Sequence, residues 1–155
     1  MKSKIEVQEL PEIKLVGVTH IGEFEQIPSI YNRLMKWAFD KGLLKTPDVK
    51  TVTIYHDNPR ITQMSKVRWS ACLVIDDNLE TEGETRKISI SKGKYAVGHF
   101  EIEPALFEKA WETVIVWVKD NGYEFGERDY FELYHGDSQS HPEHKFVVDI
   151  CIPVK

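Results

Sequence analysis

A chain of 155 residues with 41% hydrophobic and 29% charged side chains is long enough for one compact domain, or for two small subdomains sharing a core. Its formal net charge of -5 argues against a protein whose main work is gripping the phosphate backbone, an affinity that comes from clustered Lys and Arg. No apolar run approaches the roughly 20 residues that span a bilayer, and Met1 to Ile5 leads into an alternating segment instead of a signal peptide. Direct nucleic-acid binding and membrane insertion are therefore not expected, and a cytoplasmic location is.

In chain order, Ile5 to Leu10 alternates apolar and polar and stops at Pro11, and Ile13 to His20 is a second apolar run broken by Gly22. A helix starts at Pro28 or Ser29, carries Ile30, Leu34, Trp37 and Ala38 at helical spacing, and ends at Lys41-Gly42. Thr51 to His56 is a β-branched strand closed by Asp57-Asn58-Pro59, and Val67 to Ile75 makes another. The second part repeats the order. Lys87 to Ser91 and Tyr95 to Glu101 flank a Lys92-Gly93-Lys94 turn. Pro104 opens a long helix with Ala110, Trp111, Val114, Trp117 and Val118, which ends at Asn121-Gly122. Tyr130 to Tyr134 and Lys145 to Val154 are the last strands.

The two parts are in phase. Tyr55-His56 and Tyr134-His135 lie 79 positions apart, as do Cys72 and Cys151, while Trp37 and Trp117, Asp40 and Asp120, and Gly42 and Gly122 lie 80 apart. A duplicated unit with a one-residue indel accounts for this. The expected fold is α+β, a single domain over 1–155 built of two β-β-α-β-β units with antiparallel sheets, 1–77 and 87–155, joined by an acidic linker at 78–86. The units are expected to pair about a pseudo-twofold axis, with a ligand groove along it.

Positions where the halves differ are the place to look for a site. Glu132 stands at the position matching Thr53, on the same side of its strand as Tyr130 and Tyr134. If Phe131 and Leu133 face the helix, Glu132 faces the groove. By pattern alone a solvated charge on an open sheet face fits too, but one carboxylate flanked by two tyrosines suits a flat cation held by charge and ring faces. Trp69 interrupts a small, aliphatic strand, and it either caps the core or joins the site. Trp111 and Tyr31, 80 apart on the two helices, are pocket candidates, while Trp37 and Trp117 go to the core. The candidate ligand-binding set is Glu132, Tyr134, Trp69 and Tyr130, with Trp111, Tyr31 and Tyr55.

The other titratable groups give less. Cys72 and Cys151 sit in apolar runs and read as reduced, packed thiols. His135, His141 and His144, in a loop with Asp137, Ser138 and Pro142, match no metal-ligand spacing and read as solvated, and no metal or cofactor is expected. Glu101 and Glu103 at a strand-to-helix junction need no role beyond the helix dipole.

Several stretches together carry a family resemblance: Asp57-Asn58-Pro59 followed by Val67-Arg68-Trp69-Ser70-Ala71-Cys72, then Lys94-Tyr95-Ala96-Val97-Gly98, Phe131-Glu132-Leu133-Tyr134, and Asp149-Ile150-Cys151-Ile152-Pro153-Val154. Over nearly its whole length the chain resembles a GyrI-like domain, the effector-binding domain of AraC-type and MerR-type regulators, also found free-standing and built of tandem SHS2-like modules. The resemblance implies multidrug-type recognition of cationic, aromatic or hydrophobic small molecules by a buried glutamate matching Glu132, in a ligand sensor or sequestering protein. Two other functions are implied. One is a hydrolase of strained electrophilic compounds, with Glu132 as base and Tyr134 or Trp69 positioning the water; the other is a modulator of DNA gyrase. The DNA-binding region of the regulators has no counterpart before the first strand, so this chain is not expected to read DNA alone, and its possible protein partners are a transcription regulator or gyrase.

Overall fold

The structure is a computed structural model that describes residues 2–44, 49–58, 61–75, 80–136 and 141–155, Lys2 by its backbone only. Pro59, Asp137, Ser138 and the linker positions 78 and 79 lie outside the described residues.

Among the described residues, ten strands and α-helices follow one another: β1 (Lys2–Leu10), β2 (Ile13–Ile21), α1 (Ile27–Asp40), β3 (Lys50–Tyr55), β4 (Arg68–Val74), β5 (Arg86–Ile90), β6 (Gly93–Ile102), α2 (Phe107–Asp120), β7 (Tyr130–His135) and β8 (Phe146–Pro153). The two helices run to the same length and bury the same spacing, Ile30, Leu34 and Ala38 in α1 and Ala110, Val114 and Val118 in α2. Both stop where glycine takes the left-handed conformation, Gly42 at φ 73° and Gly122 at φ 77°. Pro104 does not enter α2; it begins a short 3-10 turn, Pro104–Leu106, that leads into the helix.

Instead of two small sheets, the strands form one antiparallel sheet of eight, in the order β1-β6-β8-β7-β3-β4-β2-β5. The halves meet through the central pair β3–β7, where Thr53 opposes Glu132. The first strand of each half leaves its own half: β1 pairs with β6 and β5 with β2. Read from either end, the order is the same once each strand is exchanged for its counterpart.

Both helices pack on one face of the sheet. Under α2 lie Ala96, Phe100, Val148, Ile150 and Ile152, and under α1 lie Val16, Val18, Trp69, Ala71 and Leu73. The opposite face has its own apolar cluster, with Leu15, Val52, Ile54, Phe131 and both cysteines among its members. A sheet apolar on both faces explains why period-two alternation did not reveal the helix side. Trp37 and Trp117 are half-buried against the two helix-side clusters, Trp117 stacking on Tyr123, and so border the core instead of filling it.

Candidate functional site

β7 turns Phe131 and Leu133 away from the helices and into the opposite cluster. The condition on which Glu132 was placed is thereby reversed: the carboxylate lies on the helix side, in the furrow that α1 and α2 leave over the central strands. It is 3% exposed.

Three neutral donors hold it. Tyr134 Oη and Tyr55 Oη donate to Oε1 at 2.6 and 2.9 Å, and Trp111 Nε1 donates to Oε2 at 2.6 Å. Behind them runs a hydroxyl chain, with Tyr31 Oη 2.8 Å from Thr53 Oγ1, which lies 3.4 Å from Tyr134 Oη. Since the proton of Tyr134 goes to the carboxylate, its oxygen accepts from Thr53, and Thr53 accepts from Tyr31. One strand pair and both helices therefore meet at a single charge.

Aromatic rings surround it. Trp111 meets Tyr55 edge-on at 5.7 Å and stacks on Tyr130 at 6.4 Å with an interplanar angle of 6°. Phe24 closes on Tyr55 at 5.4 Å, and Phe107 lies 6.4 Å from Tyr134. Tyr31, Tyr55, Trp111, Tyr130 and Tyr134 are all half-buried around a carboxylate that is itself 3% exposed.

The electrostatics follow from this enclosure. Burial raises the Glu132 carboxyl above its ordinary pKa, and the bonds from Tyr134, Trp111 and Tyr55 only partly counter it. The phenols of Tyr55 and Tyr134 are pushed well above the usual tyrosine range, by burial first and then by the neighbouring carboxylate. Among the described residues, no Lys, Arg or His pairs with Glu132. Three charge-assisted hydrogen bonds, each worth roughly 1.5–3 kcal/mol, offset much of a desolvation penalty of several kcal/mol, yet the charge itself is left without an opposite.

Six of the seven candidates thus converge, Tyr31 by way of Thr53. Trp69 does not: it is fully buried beneath α1, with its indole N–H given to the Gly22 carbonyl at 3.1 Å. Thr53 was visible in the sequence only as the counterpart of Glu132, and nothing in the sequence marked Phe24 or Phe107.

Elsewhere two expectations fail. His135 ends β7 and pairs with Asp149, and His141 is part-buried against Glu101, so neither is a solvated loop histidine, and Glu101 has a partner beyond the helix dipole. The pairing of β7 with β8 brings His135 to Asp149, and the segment before β8 brings His141 to Glu101 on β6. The cysteines are free, buried thiols whose pKa values burial pushes up. No helix among the described residues is long and apolar enough to cross a membrane.

The model of the GyrI-like small molecule binding domain matches residues 3–155, and the chain belongs to that family. It is 27% identical over 120 residues to DNA gyrase inhibitor 2 of Dickeya dadantii (strain 3937), covering 76% of this chain and 74% of that protein. In fold it resembles the C-terminal domain of EcmrR, with a TM-score of 0.76 and 20% identity over 100% of this chain and 99% of that one. Against EcmrR in its complex with DNA the TM-score is 0.80 at 18% identity over 99% of this chain, which spans only 57% of the EcmrR chain. SAV2435 bound to tetraphenylphosphonium shares the fold at a TM-score of 0.59 and 16% identity, over 98% of this chain and 94% of that one.

Proposed function

We propose that this GyrI-like domain binds lipophilic, aromatic cations in the furrow between α1 and α2, with Glu132 as the charge anchor and the rings of Trp111, Tyr130, Tyr55 and Tyr134 as the walls. The observation that carries the reading is a carboxylate only 3% exposed whose partners are all neutral donors. An entering cation supplies the missing opposite charge, and ring faces add cation–π attraction of about 0.5–2 kcal/mol. A neutral isostere gains the apolar contact alone. The tetraphenylphosphonium held by SAV2435 is a ligand of this chemistry in the same fold.

Binding and release suit a sensor or sequestering protein. Hydrolysis with Glu132 as base is the second reading, favoured by the raised carboxyl pKa. A role at gyrase rests on the 27% identity to the Dickeya protein.

The test is titration with tetraphenylphosphonium and with an uncharged tetraaryl analogue, followed by quenching of the four tryptophans. Saturable binding of the cation with weak or absent binding of the analogue is the expected result. Equal binding of both would remove the charge anchor from the mechanism. Consumption of a reactive electrophile, abolished in Glu132→Gln, would move the function to hydrolysis.

A further inference from the structure

On the sheet face away from the helices stands a polar cluster that the Glu132 site does not use. His99 of β6, Asp149 of β8 and His135 of β7 come from three adjacent strands. His99 and Asp149 are direct cross-strand partners, and His135 lies two residues beyond Leu133, the partner of Asp149 on its other side. His99 Nδ1 is 2.5 Å from Asp149 Oδ1 and His135 Nε2 is 2.8 Å from Oδ2, so each carboxylate oxygen faces one imidazole nitrogen. The two rings meet near edge to face at 5.6 Å. One ligand-type atom of each side chain lies within 4.8 Å of the other two.

We propose that His99, His135 and Asp149 form a binding site for a divalent transition-metal ion of the zinc class. Imidazole nitrogen and carboxylate oxygen bind zinc at about 2.0–2.2 Å, which places tetrahedral ligand atoms roughly 3.4 Å from one another. The three donors already lie within 4.8 Å of one another, on strands whose pairing fixes their backbones, so small side-chain rotations would bring them to that spacing. Without an ion each imidazole donates a proton to Asp149; with one, the same two nitrogens offer lone pairs and the ring protons sit on the far nitrogens. Three protein ligands leave a fourth position for water. Asp149 supplies the anionic ligand, between the two imidazoles.

The plain alternative is a pair of His–Asp hydrogen bonds. His99 is 54% exposed, and a pair held at that exposure returns little stability. Two imidazoles on separate strands nevertheless converge on opposite oxygens of one carboxylate, an arrangement one ion satisfies at a stroke. Lys4 and Lys50, the strand neighbours of His99 and His135, are exposed and form no ion pair with Asp149, so they do not occupy the place of the cation.

Calorimetric titration of the full chain with zinc chloride, in a buffer that does not coordinate zinc, tests the proposal. One zinc per chain is expected. His99→Ala, His135→Ala and Asp149→Asn should each weaken binding at least tenfold, while His144→Ala, outside the cluster, binds as the parent does. Far-UV circular dichroism confirms that each variant is folded, and His99→Ala, altered at an exposed position, keeps the test open if Asp149→Asn does not fold. Absence of zinc binding overturns the site, and so does zinc bound equally well by His99→Ala and His135→Ala, which would put the ion on other histidines.

Discussion

Thr53 and Glu132 face each other as direct partners at the centre of the β3–β7 pair, and they stand 79 positions apart in the chain. Their supports correspond in the same way. Tyr55 and Tyr134, also 79 apart, both donate to Oε1 of Glu132, while Tyr31 and Trp111, 80 apart on the two helices, reach Thr53 and Glu132 respectively. The surroundings are close to symmetric and the centre is not, with a hydroxyl on one side and a carboxylate on the other. Under the proposed reading, a cation entering between the helices would be drawn to the β7 side.

Replacing Glu132 by Gln keeps the shape of the furrow and removes its charge. Affinity for tetraphenylphosphonium is expected to fall about tenfold to a hundredfold, ~1.4–2.7 kcal/mol, with the uncharged analogue changing little. Fluorescence titration of both ligands against both proteins reads this directly, and a cation affinity unchanged in the variant would defeat the anchor.

The raised pKa of Glu132 sets a pH dependence whose sign is fixed. Between the ordinary carboxylate value and the raised one, the folded protein holds a proton that the unfolded chain has released. Stability of the ligand-free protein therefore falls as pH rises through that window and levels off above it. Cation binding runs the other way, tightening through the same window and releasing a proton below its upper end. Melting curves of parent and Glu132→Gln across pH isolate the effect, because other titrating groups are shared; parallel curves would contradict it.

Removal of single donors grades the same site. Tyr134→Phe and Trp111→Phe each leave one carboxylate oxygen short of a bond, at a cost of about 1–3 kcal/mol, and each raises the Glu132 pKa further. Cation affinity near neutral pH is expected to drop in both, more steeply in Trp111→Phe, which also loses the indole stacked on Tyr130. Tyr31→Phe, which reaches Glu132 only through Thr53 and Tyr134, should have the smallest effect of the three.

Much of this architecture was legible because the helices and turns obey local rules. Helical spacing and left-handed glycines placed α1 and α2 within a few residues of where they lie. The matched positions singled out Glu132, and of the two pairs of helix aromatics 80 apart it is Tyr31 and Trp111 that reach the central strands. What failed was non-local. Strand alternation says which residues share a side but not what covers that side, so with apolar clusters on both faces the Phe131 side was open to the wrong assignment. Trp69 looked conspicuous in sequence for a packing reason, its indole bonded to a carbonyl 47 positions away. The pairing of β1 with β6 and β5 with β2 carries no local signal at all.

Close packing on the sheet face away from the helices gives a test independent of any ligand. A Cβ added at Gly17 on β2 would stand 2.6 Å from the carbonyl oxygen of Ala71 and 2.7 Å from Cys72 Sγ. The carbonyl belongs to β4, which is paired on both sides, by β2 and by β3, and so has little room to retreat; Gly17→Ala is expected to destabilise by about 1–3 kcal/mol. Chemical denaturation measures it, and a neutral outcome would mean that β2 and β4 sit farther apart than described.

The exchange of first strands means that neither half owns a complete border. Cut between the halves, residues 87–155 would leave β6 without β1, and residues 1–77 would leave β2 without β5, each exposing a row of unsatisfied amides ready to pair with another molecule. The chain is thus locked like two hands with crossed fingers: it closes only after its N-terminal residues have met a strand some 90 positions later. Such long-range closure makes for slow, all-or-none folding, and it makes fragments of this protein prone to clump where the whole chain does not.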